Sequence, residues 1–96
     1  MTISTATVPT ASASRYLQQL AKHWSHRFEV TFDATQASIP LPLGLVELTA
    51  DDAALHVRCN HNDAESIDKM RSVVADHLNR FAFREGELVF DWQVAD

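Results

Sequence analysis

What this chain has little of excludes much chemistry. It has one cysteine, Cys59, so no intrachain disulfide can form. That usage fits a reducing compartment, and the cytoplasm is the expected location. It has only two glycines, so it has no glycine-rich phosphate loop. No Lys/Arg run is present, and thirteen acids against eight bases give a net charge of −5. The electrostatic signature of nucleic-acid binding is therefore missing. Anionic membrane surfaces are disfavoured for the same reason. No apolar run approaches the length of a membrane span. The first residues lack the basic region and apolar stretch of a signal peptide. No serine sits in a GxSxG context, and there is no HExxH pattern. With no visible nucleophile or oxyanion device, a hydrolase or isomerase using His77 as base is the least favoured reading.

What is present suits one small packed domain. Of the 96 residues, 46% are apolar, including five Phe and two Trp. A chain this short buries only about 60–65% of its unfolded surface, so its apolar residues must be placed efficiently. Residues 1–11 are rich in Thr, Ser and Ala, with Pro9 and no periodicity, and read as a flexible N-terminal tail. Residues 12–96 read as a single α+β domain. Ser12 to Ser14 offer helix N-caps, and Leu17, Leu20 and Trp24 fall at helical spacing after them. Phe28, Val30 and Phe32 alternate with polar residues, as do Ala37, Ile39 and Leu41. Leu41-Pro42-Leu43-Gly44 reads as a type I turn. Strands over Leu45 to Ala50 and Ala53 to Cys59 follow, with Cys59 on the inward parity.

Asn62 and Glu65 resemble a capping box for a second helix, whose stripe is Ile67, Met70, Val74, Leu78 and Phe81. Gly86 breaks that helix, Arg84 and Glu85 stand at the turn beyond it, and Leu88 to Val94 alternate as a last strand. The expected order is α-β-β-β-β-α-β: a two-layer sandwich with an antiparallel sheet of about five strands and two helices on one face. Leu17, Leu20, Trp24, Phe28, Val30, Ile67, Val74, Leu78, Phe81, Phe90 and Trp92 are the expected core. The other sheet face would carry Glu29, Asp33, Glu47, His56, Arg58 and Asp91.

Two histidine-bearing helical segments are the one pattern that suggests a site. On a wheel of about 100° per residue, His23 lands on a flank of the first stripe beside Tyr16, and His26 lies further round. His77 lands on the matching flank of the second helix. If the helices lie side by side and antiparallel, the two flanks face each other. His23, His26 and His77 are then candidate ligands for iron, zinc or haem, and Tyr16 and Arg80 are candidate ligand-binding neighbours. The alternative makes His23 and His77 boundary residues bonded to Tyr16, a carbonyl or a carboxylate. Asp76 and Arg80 stand at the spacing of a surface ion pair. His56 and His61 lie outside these segments and read as surface residues.

These residues also carry a resemblance. Ser14-Arg15-Tyr16-Leu17, His23-Trp24-Ser25-His26 and the run from Asp76 through His77-Leu78-Asn79-Arg80-Phe81 to Glu85, with Trp92 after it, resemble DUF2218. That is a family of small bacterial proteins of unknown function. The likeness covers about residues 13–93. It implies no activity. Members are often encoded beside siderophore-interacting, ferric-reductase-type proteins, which implies a link to iron acquisition and such a reductase as a partner. Two readings follow. One is a small cytoplasmic protein that binds a metal or a metal-bearing ligand in iron or siderophore handling. The other is a non-enzymatic interaction module that forms homodimers, with purely structural histidines.

Overall fold

Period-two alternation builds most of this molecule, beginning with its first residues. In the computed structural model, which describes residues 2–62, 67–82 and 88–95, Thr2–Pro9 form strand β1. This corrects the expectation of a flexible tail over residues 1–11. Thr, Ile and Val suit a pleated strand. Ser4, Ala6 and Val8 turn inward, at 0%, 4% and 0% exposure, and Thr5 and Thr7 face the other way.

The chain continues with helix α1 (Ala13–Ser25), β2 (Thr31–Phe32), β3 (Gln36–Leu41), β4 (Gly44–Ala50), β5 (Ala54–His61), α2 (Ile67–Phe81) and β6 (Gln93–Ala95). The class is α+β as expected, with six strands among the described residues instead of about five. The order is accordingly β-α-β-β-β-β-α-β. The sheet runs β2-β3-β4-β5-β1-β6, and every neighbouring pair is antiparallel. Strands β2 to β5 form a meander. β1 then pairs with β5 along its whole length, from Thr2 opposite His61 to Pro9 opposite Ala54. Its other edge takes β6. The strand expected to be a tail therefore lies inside the sheet, with backbone partners on both sides.

Both helices pack on one sheet face and touch each other. From the sheet come Ile39, Val46, Leu48, Leu55, Val57 and Cys59. They meet Leu17, Leu20 and Trp24 of α1, and Met70, Val74 and Leu78 of α2. Phe28, Val30, Phe81, Phe90 and Trp92, expected in the core, are partly buried against it. Ile67 is half-buried at the start of α2.

Two expected strands shrink. Phe28 to Asp33 contributes only Thr31–Phe32, both exposed, and Leu88 to Val94 contributes only Val94 and its neighbours in β6. Both lie at sheet edges, where one partner alone holds the backbone. Conversely β5 runs two residues past Cys59, and the alternation carries His61 inward at 2% exposure. That corrects its reading as a surface residue.

Two turns have visible causes. At the β3–β4 turn, Leu41 lies opposite Gly44. Gly44 has φ near +151°, and a Cβ there would lie 2.1 Å from the Asn60 carbonyl oxygen. Only glycine allows that approach. At the β4–β5 turn, the Asp51 carboxylate accepts from the amides of Ala53 and Ala54, both at 2.8 Å. Asn62 donates its side-chain amide to the Pro42 carbonyl at 2.9 Å. The capping partner Glu65, and Phe83, Arg84, Glu85 and Gly86, lie outside the described residues. Among those described, no helix is long and apolar enough to cross a membrane.

Candidate functional site

The amphipathic stripes of the two helices decide where the histidines go. α1 buries Ala13, Tyr16, Leu17, Leu20, Ala21 and Trp24, which leaves His23 on the flank beside Trp24. α2 buries Met70, Val74 and Leu78, which leaves His77 on the flank beside Leu78. The rings of His23 and His77 come together with centroids 5.1 Å apart, tilted by 50°. Trp24 stands 5.0 Å from His77. Phe81 stands 6.2 Å from His23, edge-on. The result is a four-ring cluster between the helices.

The contact is made by the C-terminal half of each helix. The flank positions read from the sequence are the ones that meet. Helix C-terminal turns carry partial negative charge, which favours a cation held near them.

Local contacts set the tautomer of His77 and bias His23 toward its neutral form. His77 Nδ1 lies 2.7 Å from the Val73 carbonyl oxygen one turn earlier. A carbonyl only accepts, so Nδ1 carries the proton and donates it, and Nε2 of the neutral ring keeps its lone pair. One nitrogen thus does what a boundary histidine does, and the other is left for a ligand. The His23 pKa is lowered from 6.5, first because packing desolvates the ring, then by the charges of His77, His26 and Arg80. Every one of these favours the neutral imidazole, the form that binds metals.

The remaining candidates are placed less closely. His26 and Arg80 are exposed, and their charge reaches His23. Tyr16 is 4% exposed in the core, about two turns earlier on α1. No group of three or more His, Cys, Asp or Glu that could hold a metal exists among the described residues. The pair is therefore assembled and the trio with His26 is not. Asp76 and Arg80 do not form the expected ion pair. The one ion pair among the described residues joins His56 to Asp51 at 2.7 Å. It sits at the β4–β5 turn, where the hydrogen bond from His56, then those from Ala53 and Ala54, pull the Asp51 pKa down to about 2.

A second polar cluster joins residues that the sequence reading left aside. Ser4 Oγ on β1 lies 2.8 Å from His61 Nε2 on β5. It accepts from Arg71 Nε and Nη2 of α2 at 3.1 and 2.9 Å. The signal for it was parity. Position 61 continues the inward set 55, 57, 59, and Ser4 shares parity with Ala6 and Val8.

The fold is thus a two-layer α+β domain with two helices on a six-stranded antiparallel sheet. The sequence matches a family described as "Uncharacterized protein conserved in bacteria (DUF2218)" over residues 5–93, and the chain belongs to that family. Its structure is similar to the NMR structure of PA4090 from Pseudomonas aeruginosa. The two are 35% identical with a TM-score of 0.77, over 99% of this chain and 96% of that one. No curated protein matches the chain.

Proposed function

We propose that this is a small accessory protein in iron or siderophore handling, which binds a transition metal, alone or within a chelate, through His23 and His77. The observation that carries the reading is the 5.1 Å approach of the two rings, with Nδ1 of His77 committed to Val73 and Nε2 left over. Imidazole suits iron and zinc alike. A closed structural zinc site takes four protein ligands. Two imidazoles leave the other positions to water or to a chelating ligand, which is what a carrier requires. Exposed Arg80 and His26 suit the oxygen atoms of an anionic chelate. Haem fits less well, since rings already in contact leave no slot for a flat macrocycle between them. The link to iron rests on the family resemblance, with a siderophore-interacting ferric reductase as the expected partner and the cytoplasm as the expected compartment.

Calorimetric titration with Zn(II) tests the site. Wild type binds, His77→Ala loses binding, and His56→Ala on the β4–β5 side keeps it. His61→Ala is unsuitable as the surface control, because His61 is buried. Unchanged affinity in His77→Ala removes the metal reading and leaves the boundary-histidine one.

One observation favours the second reading, an interaction module. Val94 is 57% exposed on the edge strand β6, and an unpaired edge can take a strand of a second copy. Light scattering that finds a monomer at high concentration removes the homodimer.

A further inference from the structure

The most constrained cation among the described residues is Arg71, and the histidine pair does not involve it. Its Nε and Nη2 both donate to the wholly buried Ser4 Oγ. Its guanidinium carbon lies 5.5 Å from the centroid of the Trp92 ring, within the range of a cation–π contact. Trp92 in turn stacks on Phe90, with centroids 5.7 Å apart and planes at 15°. Ser4 is itself held by His61 at 2.8 Å. The guanidinium is thus fixed along one edge and on one face.

Among the described residues, those contacts leave the terminal fork, Nη1 with the second N–H of Nη2. No carboxylate among the described residues lies within ion-pair distance of it. Arg71 is only half-buried, so solvent reaches the group. Held in place with no carboxylate beside it among the described residues, this guanidinium presents an edge that suits an acid.

We propose that Arg71 anchors a binding site for a small aromatic carboxylic acid. The carboxylate takes the terminal fork in a two-bond contact, the pairing that guanidinium geometry matches best. The ring of the ligand lies against the Phe90–Trp92 stack, whose members are only partly buried. One guanidinium balances one carboxylate. A phosphate dianion would keep surplus negative charge beside an apolar core. Arg71 lies on α2 six residues before His77, and the site does not depend on the metal reading.

The test is an NMR titration of the intact protein with benzoate, acetate and inorganic phosphate at constant ionic strength. The signals followed are the Arg71 Nε–H and the Trp92 indole N–H. Benzoate is expected to saturate both and to bind more tightly than acetate or phosphate. Arg71→Gln weakens benzoate binding at least about tenfold, the worth of a charge-assisted contact. Arg71→Lys keeps the charge without the fork and weakens it as well, which covers the case in which Arg71→Gln does not fold. Arg58→Gln, on the open sheet face, leaves binding unchanged. Shifts that never saturate, a preference for phosphate, equal affinities for benzoate and acetate, or wild-type affinity in Arg71→Lys each overturn the assignment.

Discussion

A single backbone contact decides what His77 can do. Because Nδ1 donates to the Val73 carbonyl, the tautomer with a bare Nε2 is the one present in the neutral ring. His23 is tuned in the same direction by its surroundings. Its folded pKa lies below 6.5, so the unfolded chain takes up the proton first as pH falls. Protonation of His23 therefore disfavours the folded state below about pH 6.5, and the neutral ring persists to lower pH than in an ordinary histidine. An NMR pH titration should place the His23 midpoint below that of a model histidine. His77→Gln should move it up, since the charge of His77 is a named cause of the shift, though not all the way, since packing remains the larger one. A His23 midpoint unmoved by His77→Gln would show that the rings do not share a field. The wheel positions of His23 and His77 were legible because a flank assignment needs only the local period. Ser4 and His61 were not, because their partners lie 57 residues apart in the chain. No local pattern reports such a contact.

The elements divide by how much of their pattern is local. α1 and α2 were legible in register, since each shows a long apolar stripe and buries its middle, while Ile67 and Phe81 at the ends of α2 are only half-buried. Leu78 is fully buried in that stripe, and Leu78→Ala should cost about 2–5 kcal/mol by chemical denaturation. The β3 to β5 meander was legible from alternation and turn residues. β1 was not, because its inward set is Ser4, Ala6 and Val8, too small and too polar at one end to stand out from a tail. Its β-branched content was the usable signal. The edge strands β2 and β6 are shorter than their alternation suggests, since an edge is defined by a missing neighbour and not by its own residues. Gly44 belongs to this scale too. Its φ near +151° makes Gly44→Ala destabilising by about 1–3 kcal/mol from backbone strain alone. The steric contact with Asn60 adds to that. Denaturation midpoints of the two variants check both values, and a neutral Gly44→Ala would contradict the turn as described.

For the whole molecule, the return of α2 onto the sheet assembles the two side-chain clusters. β1 lies between β5 and β6, which sets Ser4 under Arg71. α2 also lies against α1, which sets His77 against His23. One face of the sheet is thereby filled, and the other keeps its polar residues, among them Glu47, Thr49, His56 and Arg58. The class of fold followed from the order of periods along the chain. The sheet order did not, since it depends on which long-range pairings the N-terminal strand makes. The central claim is that the juxtaposed rings of His23 and His77 form a ligand site, and the most direct measurement is an NMR spectrum of the five imidazoles before and after one equivalent of Zn(II). The account predicts that the Nε2 signal of His77 and a ring nitrogen of His23 shift together at stoichiometric metal, while His56 and His61 stay in place. Zinc that perturbs His26 or His56 alone, or that leaves all five rings unchanged, would contradict it.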